Sequence, residues 1–435
     1  MDKGFTVTHQ AQPRPLSGFS RWLDRHPGFL AIFGGLMAFG VYFSMYAFRK
    51  PFTAASFDNV AGIGIDYKVA LVIAQVIGYA LSKFIGIKVV SELPARFRTL
   101  LLIALILIAE GALCAFAVVP APYNIALLFL NGLPLGMVWG LVFGFLEGRR
   151  TSEILGSILC ASFIVSTGLV QSVGRWLLLQ HYATEFTMPA MVGGLFLPLL
   201  LLCLWGLNQL PPPNAEDVAA RVERGPMNGK ARGELLSHYA PGLILLIILY
   251  VLLTAMRDFR DNFAAEIWQS VGLGNEPGIF ALSDLPIGGV VLAAMATLAL
   301  FQKNRPALIA NLGLIGLGLI VTAGVTVAYA AHLIGPIGWM IGLGGGLYLA
   351  YTPYNGLLFD RLVAATGRVG TAGFLIYVAD SSGYAGSVAL LLVKNFAALN
   401  LPWVGFLMVS SLVTGVAGLG LLSGAAVYFW RKLKA

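Results

Sequence analysis

The sequence predicts an all-α polytopic membrane protein, with twelve transmembrane helices in two pseudo-symmetric six-helix bundles. Three observations predict it. The 435 residues are 58% hydrophobic and only 11% charged, where a soluble domain has about a quarter charged. Apolar runs of roughly 18 residues or more, enough to cross a bilayer as a helix, recur from Gly28 to Tyr428. One long polar connection, from Leu210 to Tyr239, divides these runs six and six, and a short motif recurs on either side of it.

In chain order, residues 1–27 are a polar tail. No convincing cleavage site follows it, so the first span is expected to stay in the mature chain. Spans are expected near 28–52, 67–90, 97–119, 122–147, 153–178 and 187–208, making an N-terminal bundle over 28–208. The linker, 209–241, holds Pro211-Pro212-Pro213 and mixed charges, with a short surface helix expected at 215–222. A second bundle over 242–429 has spans near 242–267, 279–302, 306–329, 333–359, 370–393 and 402–429, before a tail at 430–435. Many of the 52 glycines lie inside the runs, as close helix packing in lipid requires.

The net charge of +8 does not point to nucleic acid. Most of the 28 Lys and Arg residues fall before span 1, after the even-numbered spans, in the linker and at the C-terminus, all on one side of twelve spans. Lys50, Lys68, Arg175 and Lys394 fall opposite, near span ends. The positive-inside bias puts both termini in the cytoplasm, with a bacterial inner membrane as the default location. Cys114, Cys160 and Cys203 lie in apolar runs and read as small packing residues. No metal-ligand spacing, nucleophile–base set or Gly-x-x-x-x-Gly-Lys-Ser/Thr loop occurs, so neither an enzyme, a cofactor nor ATP-driven transport is expected.

Arg49, Lys83, Arg257 and Arg260 remain inside or at the edge of spans. Phe48-Arg49-Lys50-Pro51-Phe52-Thr53-Ala54 and Phe259-Arg260-Asp261-Asn262-Phe263-Ala264-Ala265 share Phe-Arg-x-x-Phe-x-Ala, 211 positions apart. An arginine cannot shed its proton and is costly in hydrocarbon unless something anionic meets it. Arg49, preceded by Tyr42 and Tyr46, reads either as an interfacial anchor or, with its second copy, as one wall of an anion site between duplicated halves. Arg257 and Arg260 share a helix face. Arg257 has Asp261 four residues on as a candidate partner, which would leave Arg260 uncompensated. A second register matches Arg49 to Arg257 instead. Lys83 sits mid-span with Asp380 as its candidate counter-charge in a gate. Glu110 and Asp284 read equally as protonatable coupling groups or as packing polar groups. Tyr348, Tyr351 and Tyr354 are spaced to line a cavity wall.

At these residues the chain resembles the organophosphate:phosphate antiporter family of the major facilitator superfamily. Tyr46-Ala47-Phe48-Arg49-Lys50-Pro51-Phe52 is similar to its Tyr-x-x-Arg-Lys-x-Phe, and Ser82-Lys83-Phe84 to its Ser-Lys-Phe. Leu130-Asn131-Gly132, Gly136-Met137-Val138-Trp139, Gly370-Thr371-Ala372-Gly373-Phe374 and Gly383-Tyr384-Ala385-Gly386 also fit. The resemblance implies phosphate held by Arg49 with Arg257 or Arg260, and a required Lys83. The chain departs from the family where a helix 5 histidine is expected after Cys160-Ala161, where Gly86 opens a degraded loop signature, and at Asp380.

The expected function is alternating-access transport of a small organic anion, phosphorylated and exchanged for inorganic phosphate, by a monomer in the lipid bilayer. The alternatives are proton-coupled movement of a carboxylate or amphiphile, with Asp284, Asp380 or Glu110 carrying the proton, and a non-transporting sensor built on the same pocket.

Overall fold

The computed structural model describes residues 17–62, 64–146, 152–212, 229–301, 303–355, 357–366, 372–397 and 401–432. Most of the N-terminal tail, the surface helix expected at 215–222, and Arg149, Arg150, Gly370 and Thr371 lie outside them.

Every regular element among the described residues is helical. A short helix α1 (Gly18–Asp24), capped by the Ser17 hydroxyl, precedes the first bundle. That bundle comprises α2 (Pro27–Met45), α3 (Tyr67–Glu92), α4 (Arg98–Val118), α5 (Ile125–Leu135) with α6 (Val138–Leu146), α7 (Ser152–Leu179) and α8 (Met188–Asn208). The second comprises α9 (Gly229–Asn262), a short α10 (Ala264–Ser270), α11 (Ile279–Ala299), α12 (Asn304–Ala330), α13 (Pro336–Asn355), a short α14 (Leu358–Thr366), α15 (Ala372–Phe396) and α16 (Trp403–Lys432).

The helix contacts repeat from half to half. In the first, α2 packs on α6, α7 and α8, α3 on α5, and α4 on α5 and α8. In the second, α9 packs on α13, α15 and α16, α11 on α13, and α12 on α13 and α16. Shifting each span by six converts one pattern into the other, as a duplicated chain would. The halves meet where α7 packs on α11 and α3 on α15.

Among the described residues, eleven helical spans are long and apolar enough to cross a membrane. The tenth, α13, has 20 residues but carries five glycines, three tyrosines and a terminal asparagine. Most of it, from Trp339 to Tyr354, is buried among other helices, so it needs less lipophilicity than a lipid-facing span. The seventh span differs from expectation in its start: the span is expected from residue 242, but α9 is already helical from Gly229, with Pro241 inside it. Packing overrides the proline. The Tyr428 hydroxyl donates to the His238 carbonyl at 3.0 Å, beside the proline, and Gly242 lies flat against Tyr428 and Phe429 of α16.

Backbone contact fixes the helix that carries the site. A Cβ on Gly132 of α5 would fall 2.3 Å from the Gln75 carbonyl, and one on Gly78 of α3 would fall 2.3 Å from that of Phe129. Only glycine permits so close an approach, and it sets Gln75 and Tyr79 of α3 over Asn131 of α5.

Candidate functional site

The first repeat is where α2 stops being an α-helix. Tyr46–Phe48 and Pro51–Ala54 are single 3₁₀ turns, with Pro51 unable to continue the α-helical ladder. Carbonyls freed inside a bundle need donors. Asn131 Nδ2 donates to the Phe48 carbonyl at 2.9 Å and Gln75 Nε2 to that of Arg49 at 2.9 Å, while Gln75 also bonds Asn131 at 2.7 Å. These buried amides hold Arg49 in place. Its guanidinium lies 3.8 Å from the ring centre of Tyr79 and 5.7 Å from that of Tyr46. Arg49 is 7% exposed, and its Nε has no acceptor. Among the described residues no carboxylate pairs with it.

The second repeat ends α9. Arg260 donates to Asp261 Oδ1 and to Asp284 Oδ1, both at 2.9 Å, and to the Met340 carbonyl at 3.3 Å. Arg257 bonds Asp258 Oδ1 at 2.6 Å and stacks 4.0 Å from the ring centre of Tyr351. Asp258 Oδ2 accepts from Ser387 at 2.8 Å. The candidate pair Arg257–Asp261 is therefore not formed, and Arg260 is the doubly paired arginine. The i,i+4 rule gave way to nearer partners: each arginine takes the aspartate next in sequence, and Asp284 arrives from α11. The two repeats also touch. Lys50 Nζ donates to Asn262 Oδ1 at 2.6 Å, and Gln171 of α7 donates to Thr53 Oγ1 and the Asp261 carbonyl, each at 2.7 Å.

Lys83 and Asp380 do meet. They form an ion pair between α3 and α15, and the Tyr250 hydroxyl donates to the other Asp380 oxygen. Tyr250 also bonds Tyr351 at 3.1 Å, which joins this pair to the Arg257 stack. Lys83 Nζ also lies 5.6 Å from the ring centre of Tyr79, the ring that faces Arg49, so a chain of contacts runs from Arg49 through Tyr79, Lys83, Asp380, Tyr250 and Tyr351 to Arg257. Glu110 stands apart from the gathered charges. It wedges between α4 and α8 against Gly193, with Oε2 lacking a donor.

The sequence reading set Lys50 and Lys68 aside as span-end cations. Both are buried, and Lys68 makes an ion pair with Glu266 at 2.6 Å, joining α3 to α10 across the halves. The available signals were that Lys50 adjoins Arg49 inside the repeat and that Glu266 follows directly on the second copy. Asp258 and the buried amides Gln75, Asn131 and Gln171 were missed as well.

The chain matches a family of unknown function (DUF5690) over residues 51–432. No curated protein matches it. A solved nucleoside transporter, NupG in mutant form, is 12% identical with a TM-score of 0.57, covering 92% of this chain and 100% of its own. A D-xylose-proton symporter is 14% identical with a TM-score of 0.57, over 92% and 96%. A bacterial homologue of the human drug peptide transporters PepT1 and PepT2 is 11% identical with a TM-score of 0.61, over 93% and 99%. At such identities the likeness speaks for fold: the architecture here is the major facilitator fold.

Proposed function

We propose that this chain, which belongs to the DUF5690 family of unknown function, is a secondary transporter of a small organic anion, a phosphorylated metabolite exchanged for phosphate. The observation that carries the reading is Arg49: a permanent cation, 7% exposed between two halves, with no carboxylate pairing with it among the described residues. Six cations (Arg49, Lys50, Lys68, Lys83, Arg257, Arg260) gather around five carboxylates (Asp258, Asp261, Glu266, Asp284, Asp380). One positive charge is left over, and a substrate anion supplies the partner.

Arg257 is the better second ligand than Arg260. Arg260 is held by two carboxylates, whereas Arg257 has one and is joined to Arg49 through Tyr351, Tyr250, Asp380, Lys83 and Tyr79. A phosphoryl group between Arg49 and Arg257 would receive bidentate, charge-assisted bonds from both halves. Inter-half ion pairs flank this centre, Lys68–Glu266 towards one end of the bundle and Lys83–Asp380 towards the other. Opening either pair alone exposes the anion to one side, which is alternating access about a fixed site. The positive-inside bias of the sequence supports a cytoplasmic position for both termini.

The test is exchange of labelled phosphate in proteoliposomes preloaded with phosphate. Wild type is expected to exchange. Arg49→Ala loses bonds worth about 2 kcal/mol, which lowers exchange by roughly 30-fold or more. Arg257→Ala is expected to behave likewise. Absence of exchange in folded wild type removes phosphate as the counter-substrate, and full exchange in Arg49→Ala removes the site.

A further inference from the structure

The charges at the contact between α7 and α11 do not balance. Asp261 and Asp284 are both buried and share one cation, Arg260, at 2.9 Å each. Asp261 uses both oxygens, since its Oδ2 accepts the Tyr348 hydroxyl at 2.5 Å. Asp284 uses only Oδ1, towards Arg260 and, at 3.4 Å, Ser283. Its Oδ2 points across to the other half: a Cβ on Gly168 of α7 would fall 2.8 Å from it. A cavity of about 10 Å³ adjoins Asp284, bordered also by Gln171, Arg260, Asp261 and Trp268. That is room for one water.

The surroundings limit what else can neutralise this pair. The elements packed around Asp284 present Arg260 and Asp261 from α9, the Tyr348 hydroxyl and the Met340 carbonyl from α13, Trp268 from α10, and only Gly168 and the uncharged Gln171 from α7. Two carboxylates this close, away from water, resist ionising together, and the one with fewer donors keeps a proton.

We propose that Asp284 carries an exchangeable proton at the contact between the halves, and that this proton travels with the anion. With Asp284 ionised, the buried centre has a surplus of one positive charge. With Asp284 protonated the surplus is two, which matches a phosphomonoester dianion. Proton and anion therefore hold each other in the closed state. When α7 parts from α11, water reaches Oδ2, the proton leaves to that water as the carboxylate re-forms, and the anion is held less firmly. The coupling rests on the transport reading above; the proton site itself does not.

The experiment has a readout that needs no transport. Infrared difference spectra of purified wild type and Asp284→Asn are recorded across a pH series. A protonated-carboxyl band present in wild type at neutral pH and missing from Asp284→Asn is expected. An unchanged band in Asp284→Asn, or one removed by Asp261→Asn instead, overturns the assignment. Matched elution and thermal unfolding of the variants show that they are folded. In phosphate-loaded proteoliposomes, the rate of labelled-phosphate exchange is expected to depend on pH in wild type and to lose that dependence in Asp284→Asn. Exchange by wild type with the same pH dependence as Asp284→Asn contradicts the coupling. Absence of any phosphate movement in wild type counts against the transport reading, while the infrared result still decides the proton site.

Discussion

Removing one member of the Lys83–Asp380 pair leaves the other charge in a site built for two. Asp380→Ala strands Lys83 and also takes the acceptor from the Tyr250 hydroxyl. A loss of about 3 kcal/mol in stability is expected. The double variant Lys83→Ala/Asp380→Ala is expected to lose less than Asp380→Ala alone. Thermal unfolding of the purified variants measures both, and strictly additive losses would contradict the pairing. Tyr79 tests the centre more gently. Its ring lies 3.8 Å from the Arg49 guanidinium, so Tyr79→Leu removes a cation–π contact worth about 1 kcal/mol and is expected to weaken anion binding roughly five-fold. Equal affinities would show that the ring only fills space. The individual arginines were legible as residues because a guanidinium in an apolar run demands an explanation. Their partners were not. Asp258 and Asp261 next to Arg257 and Arg260 read as one charged helix end, and nothing in the spacing foretold that Asp284 would complete the set from another helix.

The helices themselves were legible from apolar length, and the breaks within them less so. The first span is expected as far as residue 52, but α2 ends at Met45 and two 3₁₀ turns follow, the second opened by Pro51. By contrast, Pro241 closes the expected linker yet lies inside α9, where the next residue, Gly242, packs against Tyr428 and Phe429 of α16. The approach of α3 to α5 has a direct check. Gly132→Ala places a methyl carbon 2.3 Å from the Gln75 carbonyl, a backbone atom that cannot rotate away. The helices must separate, at a cost of about 1–3 kcal/mol. Because Gln75 and Asn131 cap the unwound turn, anion binding is expected to fall together with thermal stability. An unaltered melting temperature in Gly132→Ala would mean that the helices are less tightly apposed than described.

Across the whole molecule, duplication makes the fold readable: the same helix contacts recur with each span shifted by six, and the two repeats meet through Lys50–Asn262 and Gln171. What the sequence could not reveal was closure. Lys68 and Glu266 are separated by most of a half-chain, and only the docked halves show them joined at 2.6 Å. Glu266→Gln weakens that closure. A cysteine at Asn262, which is 4% exposed, in a background lacking Cys114, Cys160 and Cys203, is therefore expected to react faster with a membrane-impermeant thiol reagent when Glu266→Gln is added. An unchanged rate would argue that this pair does not hold the end shut.

The most direct measurement is calorimetric titration of purified protein with a panel of small anions, including inorganic phosphate, phosphate monoesters, sulfate and carboxylates, against wild type and Arg49→Ala. Saturable binding of a phosphate or phosphate ester to wild type, reduced roughly 30-fold or more in Arg49→Ala, is expected if an external anion completes the charge of the centre. No binding across the panel, or the same affinity without Arg49, would contradict an anion site between the halves.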